Sequence, residues 1–438
     1  MDDVMVLGTG MAAWGATDRL SAEGVEPVLY EKCDQAGGHT KTYRHDDGFI
    51  FDDGPHISFT EDARVQGVLS DAVEGDWVSF KTYVDNYYQG TWVMHPAQVN
   101  LHPLPHDLVI ECVNDMVAAR LDPATDPPAN YKEWLYAQFG PTFAENFPMR
   151  YGKKYHTVDA ELMSTDWLGP RLYQPEIKEV IQGAISPETV DVHYIDKFRY
   201  PAHGGFASYL DPFFERSAIH LGWEATGIDP ATRTVRFGNG EERGYDQLVS
   251  SVPLPVLLPM IDGAPDDVVA ASQRLACSIC VLVNIGVRRD DISPAQWRYI
   301  YDEDISFTRL SFPYKFSPNT VPEGCASVQA EHYYSDKYRP LDRSVDDIID
   351  DTVRDLTRIG ILTPDDEVVH RGATVSPFAN VIFDLERAEA VATVHGYLEE
   401  IGVHRCGRYG DWGYMWTDES YLSGERAGQA ALDALGGR

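Results

Sequence analysis

Cysteine and lysine are scarce in this chain. Six cysteines in 438 residues are too few for a disulfide scaffold of the kind that sustains small secreted domains. The lone C-x-x-C, Cys277-Ser-Ile-Cys280, sits in an apolar run from Cys277 to Val287 and reads as buried strand residues rather than a redox pair. No apolar stretch reaches the roughly 18 residues of a membrane span. The longest candidate, Leu248 to Ile261, is broken by Pro253, Pro255 and Pro259. Met1-Asp2-Asp3 runs straight into Val4-Met5-Val6-Leu7 without a basic leader, so no signal peptide is read and the expected location is the cytoplasm. Ten Lys and 26 Arg face 43 Asp and 26 Glu, a formal charge of -33. Such a surface repels nucleic acid and anionic membranes, so neither is an expected partner. The 14 histidines give a single H-x-x-x-H, His102 to His106, and Pro103 and Pro105 inside it break the helix that zinc spacing uses, so no metal is expected. There is no G-x-S-x-G either, so a nucleophile elbow is not indicated.

What is present is a long globular chain, 43% apolar and 11% aromatic, with length for about three domains. Residues 3–7 read as a buried strand, 11–23 as a helix ended by Gly24, and 27–31 as a second strand, a βαβ opening. Another short strand is expected at 49–53. From 61 to about 190 the texture is helical, with periods at 107–121, 130–138 and 175–185. Alternating strands return over 223–252, with a turn at Gly238-Asn239-Gly240. Segments 277–287, 297–301, 306–312 and 325–334 read as strands of a mixed sheet. Helices are expected at 344–359, 386–400 and 417–435.

The strongest motif is Gly8-Thr9-Gly10-Met11-Ala12-Ala13, a G-x-G-x-x-A between strand and helix. The first glycine permits the tight turn, the second lets backbone approach a pyrophosphate, and the small third residue lets helix and strand pack closely. The helix start offers free N–H groups and a positive dipole to phosphate. Glu31, 21 residues after Gly10 and followed by Lys32, is placed to accept ribose hydroxyls and to repel a 2′-phosphate. A dinucleotide is therefore expected. FAD is preferred to NAD because Gly37-Gly38 and a short strand follow Glu31 instead of further βα units. Glycine-rich segments also return far downstream, as a discontinuous flavin domain requires.

Several segments resemble the UDP-galactopyranose mutase family, closest to its eukaryotic-type members, within the FAD-dependent amine oxidase and protoporphyrinogen oxidase superfamily. Gly37-Gly38-His39 resembles the G-G loop beside the flavin. Phe51-Asp52-Asp53-Gly54-Pro55-His56 resembles F-D-x-G-G-H, with Pro55 in place of the second glycine. Trp167-Leu168-Gly169-Pro170-Arg171 is similar to W-L-G-x-R. Phe198-Arg199-Tyr200-Pro201-Ala202-His203-Gly204-Gly205 is similar to F-R-[FY]-P-A-x-G-G. Trp297-Arg298-Tyr299, Phe307-Thr308-Arg309 and Ser317-Pro318-Asn319 resemble W-x-Y, F-Y-R and its continuation. Gly407-Arg408-Tyr409-Gly410-Asp411-Trp412-Gly413-Tyr414 resembles G-R-[FY]-G-x-W-x-Y.

The resemblance implies an α/β (mixed α+β) fold: a discontinuous Rossmann-type FAD-binding domain (1–60, 198–262 and 370–438), a largely helical insertion (61–197) and a mixed-sheet substrate domain (263–369). It implies a FAD-dependent nucleotide-sugar mutase that interconverts pyranose and furanose rings through a sugar adduct on reduced flavin N5. A reductant such as NAD(P)H is then a partner. Arg171 and Arg309 correspond to the arginines that clamp the substrate diphosphate, a role suited to guanidinium forks; for either alone the competing reading is an ordinary surface ion pair. Tyr299 and Tyr414 correspond to tyrosines on the same diphosphate. His56 corresponds to a histidine close to the isoalloxazine, and Arg408 to a residue near the flavin diphosphate or substrate. Gly54, Pro55, Gly204, Gly205 and Gly407 fall in cofactor-side motifs. Trp416 is read as a pocket wall. Thr417 is read as an N-cap, with Asp418, Glu419 and Ser420 in the first turn of a helix aimed at the flavin.

Two departures bear on the substrate. Met415-Trp416-Thr417-Asp418 stands where the family has Asn and then Asp, and Phe378-Ala379-Asn380 replaces an expected tyrosine. The diphosphate clamp reads as kept and the sugar side as rebuilt, with Asn380 and Trp416 on it. An alternative activity is therefore a net FAD oxidoreductase acting on a sugar, an amine or a secondary metabolite. A third reading is FAD held without turnover.

Overall fold

The computed structural model describes residues 2–122, 126–169, 172–188 and 197–436. β1 (Asp2–Leu7), α1 (Met11–Ser21) and β2 (Val28–Glu31) form the expected opening crossover. β1 and β2 pair in parallel, and β1 also pairs in parallel with strand Glu242–Ser250. Ala218–Leu221 joins β2, and Val403–Arg405 joins the far end of Glu242–Ser250, both parallel. This is a parallel sheet assembled from the N-terminus, the middle and the C-terminus of the chain. The near half of Glu242–Ser250 continues into an antiparallel meander with Thr234–Phe237 and Ala225–Asp229. Val4, Val6, Leu29 and Val249 are fully buried, as strands covered on both faces require.

The C-terminal helix Thr417–Gly436 lies on α1, and glycine sets the distance. A Cβ on Gly424 would fall 1.8 Å from the Ala12 carbonyl oxygen, and one on Gly15 would fall 1.9 Å from that of Tyr421. Backbone thus meets backbone at this crossing, which brings the start of the last helix up to the dinucleotide motif.

A second sheet of seven strands runs in the order Val368–Ser376, Ile279–Val287, Ala326–Tyr334, Arg309–Ser311, Trp297–Ile300, Val84–Tyr88, Thr91–Met94. All pairs are antiparallel except Trp297–Ile300 with Val84–Tyr88. The helical-texture segment thus contributes two strands to this sheet, and the strand beginning at Val368 forms its opposite edge. The sequence pattern hides Val84–Tyr88 because Asp85 and Asn86 interrupt its apolar character. Both are buried: Asp85 pairs with the remote Arg298, while Asn86 Nδ2 donates across the hairpin to the Val93 carbonyl and its Oδ1 accepts from the distant Tyr301 hydroxyl at 3.3 Å. The expected helix at 130–138 extends over Tyr131–Asn146 with a break at Gly140, where φ is 71° and a Cβ would meet the backbone of Asp115. Helices Ala63–Ala72 and Pro148–His156 were not separately legible.

Candidate cofactor and substrate site

The dinucleotide motif has the geometry a pyrophosphate needs. Gly8 has φ 109° and its backbone abuts Ser251, the residue after strand Glu242–Ser250. Gly10 is the N-cap of α1 and supplies no side-chain cap, so the first N–H groups of the helix stay open to a ligand. Gly37 and Gly38 approach Gly10 so closely that a Cβ on Gly38 would lie 3.4 Å from the Gly10 Cα. Glu31 ends β2 and is buried; its carboxylate accepts from Thr9 Oγ1 at 2.8 Å and from the Cys33 amide at 3.0 Å. Thr9 Oγ1 in turn accepts from the Gly37 amide at 3.1 Å. The carboxylate is thereby held beside the glycine loop. These residues fit a dinucleotide, with Lys32 exposed at the rim.

A cavity of about 180 Å³ opens against one face of the second sheet. One wall is a row across the second sheet. Leu282, Glu331, Arg309 and Tyr299 are direct neighbours on four successive strands, so their side chains share one face. Tyr333 and Cys280 form the next row on that face. The opposite wall is His39, Asp53, Gly54, Pro55 and His56, and the ends are closed by Asn380, Arg408, Tyr414, Trp416 and Thr417.

Arg309 donates from Nε to Glu331 Oε1 at 2.7 Å and from Nη2 to Oε2 at 2.9 Å. Its Nη1 has no partner among the described residues. Tyr333 donates its hydroxyl to the same carboxylate. The ion pair holds the guanidinium well above its ordinary pKa against the opposing effect of burial. Arg408 differs. It donates to the Met415 and Ala379 carbonyls and to Asn380 Oδ1, and no carboxylate pairs with it among the described residues. It therefore brings an uncompensated positive charge to the cavity, which calls for an anion. The Arg408 bond takes Asn380 Oδ1 and leaves the Nδ2 hydrogens free for a ligand.

His56 Nε2 must carry its proton, because it donates to the His39 carbonyl at 2.6 Å. Burial lowers its pKa to about 4 and that of His39 to about 3, helped in both by Arg408. Both rings are neutral at pH 7. Tyr299 receives the Trp297 indole N–H at 3.1 Å, and Tyr414 shares a 3.2 Å hydroxyl contact with Tyr155.

The structure thus brings Arg309, His56, Tyr299, Tyr414, Asn380, Trp416, His39, Gly54, Pro55 and Arg408 of the expected set to one cavity. Arg171 lies outside the described residues. Gly204 and Gly205 stand apart from the cavity wall. Their tight loop packs on Ser208, Thr42 and Asp52, and it aims the Phe206 amide at the Asp52 carboxylate. Glu419 caps locally by accepting from the Trp416 amide at 2.8 Å, and the Ser420 amide bonds the Trp416 carbonyl. Of the last helix's first turn, Thr417 lines the cavity. Sequence reading missed Asp53, Tyr155, Glu331 and Tyr333. The signal for Glu331 was a lone acid in the alternating strand Ala326–Tyr334.

A crystal structure of reduced UDP-galactopyranose mutase superposes on this chain with a TM-score of 0.93 at 26% identity, covering 99% of this chain and 96% of that one. A redesigned putrescine oxidase and a fatty acid isomerase from P. acnes share the fold at 14% and 12% identity, with TM-scores of 0.62 and 0.64. Their alignments cover 98% and 97% of this chain and 99% and 97% of theirs. A 4,4'-diapophytoene desaturase of Staphylococcus haemolyticus is 34% identical over 82 residues, 19% of this chain and 15% of that protein. The model for flavin containing amine oxidoreductases matches residues 16–432. The chain, with its open-ended first helix, glycine loop and buried carboxylate at the end of β2, belongs to the flavin-containing amine oxidoreductase family.

Proposed function

We propose that this protein is a FAD-dependent nucleotide-sugar mutase that interconverts ring forms of a sugar carried on a nucleoside diphosphate. The observation that carries the reading is the pairing of Arg309 and Arg408 across one aromatic cavity, in a chain of charge -33. Likeness to the reduced mutase over 99% of the chain supports it. FAD would be held by Gly8, Gly10 and the Met11–Ala13 helix start, with Glu31 on the ribose and Gly37 and Gly38 against the diphosphate. When reduced, it supplies an electron-rich nucleophilic centre.

The chain's own groups position and balance charge. Arg309 Nη1, Arg408 and the Asn380 amide are donors for a diphosphate, with Arg171 as an expected further clamp. Tyr299, Tyr414 and Tyr155 supply hydroxyls and walls. Neutral His56 keeps its Nε2 proton on the His39 carbonyl, so Nδ1 is its acceptor atom. Removing one such charge-stabilising donor costs on the order of 10²–10³ in rate.

A second reading is net oxidation of a sugar, amine or secondary metabolite. It is favoured by the family itself and by Phe378-Ala379-Asn380, where a bulky aromatic hydroxyl is replaced by a smaller amide. Product mass separates the two. The chemically reduced and the oxidised FAD-loaded protein are each incubated with a nucleotide-sugar panel. An isomer formed only by the reduced protein supports the mutase. A product lighter by two hydrogens, with peroxide, replaces it by the oxidase.

A further inference from the structure

Asp53 occupies the variable position of the Phe51-to-His56 motif and is a carboxylate in the cavity wall. Its side chain is 9% exposed, and its Oδ1 is buried with no hydrogen-bond partner among the described residues. Its Oδ2 lies 3.9 Å from His39 Nδ1, too far for a hydrogen bond. Its neighbour in sequence shows the contrast. Asp52 accepts from Thr42 Oγ1 at 2.5 Å, Tyr200 Oη at 2.6 Å and the Phe206 amide at 3.0 Å. Asp52 is built into the fold, whereas Asp53 is left without donors.

We propose that Asp53 takes up a proton when the bound flavin is reduced, so that electron entry into this cavity is coupled to protonation of one carboxylate. An ionised acid in a buried wall is costly without donors or a paired cation. The groups that face it do not supply that pairing. Lys41 favours the ionised form and Asp52 opposes it; of the arginines in the same cavity, Arg309 is committed to Glu331 and Arg408 to the Met415 and Ala379 carbonyls, and neither bonds Asp53. His39 is neutral, and Tyr43, Tyr409 and Cys280 are neutral acids that an Asp53 charge pushes further from ionisation. Burial raises the Asp53 pKa to about 6. At pH 7 it is therefore ionised but poised. Negative charge arriving in the same cavity raises its proton affinity further.

The balance is explicit. Two electrons from a nicotinamide or other two-electron donor and one proton reduce the flavin to its anionic form. A second proton from solvent converts the Asp53 carboxylate to the acid. The proposal rests on the flavin reading and not on ring interconversion.

The test uses the FAD-loaded chain and Asp53→Asn, reduced with dithionite. Between about pH 6 and the raised pKa of Asp53 in the reduced state, the midpoint potential of the wild type is expected to fall with pH roughly twice as steeply as that of the variant, two protons against one per two electrons. A reduced-minus-oxidised infrared difference spectrum of the wild type is expected to show the carbonyl stretch of a protonated carboxylic acid, absent in Asp53→Asn. Equal slopes, or no such band in the wild type, overturn the proposal. Should Asp53→Asn fail to retain FAD, the infrared band of the wild type alone decides: a protonated carboxylic acid formed on reduction supports the proposal and its absence overturns it. A wild-type chain that takes up no FAD overturns the flavin reading beneath it, a distinguishable result.

Discussion

Glu331 holds Arg309 by both oxygens, and the two sit side by side on adjacent strands, Arg309 opposite Glu331 in register. The acid is 1% exposed and the arginine 21%. The pair is therefore a structural element of the second sheet as well as part of the cavity, and the two roles separate by experiment.

Arg309→Ala is expected to destabilise the fold by about 3–5 kcal/mol, because it strands a buried carboxylate. Arg309→Met combined with Glu331→Gln is expected to recover most of that loss. Urea unfolding of the three proteins checks this. A single substitution as mild as the double contradicts the coupling.

Arg408→Gln removes a cation that pairs with no carboxylate among the described residues but donates to the Met415 and Ala379 carbonyls, so affinity is read on protein whose thermal melt and FAD content match the wild type. Nucleoside diphosphate affinity is expected to drop at least tenfold, matching a lost charge-assisted contact of about 1.5–3 kcal/mol. Calorimetric titration of the FAD-loaded protein measures it, and unchanged affinity would remove Arg408 from the anion site.

Glu31→Ala is expected to weaken FAD retention and to leave the choice of substrate unchanged, since Glu31 sits beside Thr9 and the Gly37 loop, away from the cavity. The ratio of flavin absorbance to protein absorbance after gel filtration reports it. Full loading would place the ribose elsewhere.

Gly424→Ala drives a methyl into the Ala12 carbonyl. A cost of at least about 1–3 kcal/mol is expected, with loss of FAD as α1 is pushed from its place. Thermal melts with and without added FAD test both halves. A neutral result would mean the two helices separate freely.

His156 is buried, its Nδ1 has no partner among the described residues, and burial lowers its pKa to about 3. The folded pKa is depressed below the ordinary 6.5. The unfolded chain therefore binds a proton that the folded one refuses, and this contribution to stability is lost as pH falls from about 6.5 toward 3. The slope is about 1.4 kcal/mol per pH unit. His156→Phe is expected to remove that slope from urea unfolding measured at successive pH values, and an unaltered slope would contradict it.

Much of this architecture was written locally. Alternation and period, with Gly8, Gly10 and Glu31 at fixed spacing, specified the opening crossover and the cofactor end, because a tight turn and a helix start depend on residues close in the chain. The stretch of alternating strands over 223–252 with its turn at Gly238-Asn239-Gly240, and the last three long helices, were legible for the same reason. The strands Val84–Tyr88 and Thr91–Met94 were not, since Asp85 and Asn86 interrupt the apolar pattern and the cation that balances Asp85, Arg298, lies far along the chain. The cavity wall was not legible either. Leu282, Glu331, Arg309 and Tyr299 become neighbours only through strand register, and register is settled by pairing across the whole sheet. Tertiary structure alone decided that Arg309 arrives already paired and that, among the described residues, Arg408 meets carbonyls but no carboxylate and Asp53 faces the cavity without a donor. Charge balance in a closed space depends on which groups meet there, and chain order does not record that.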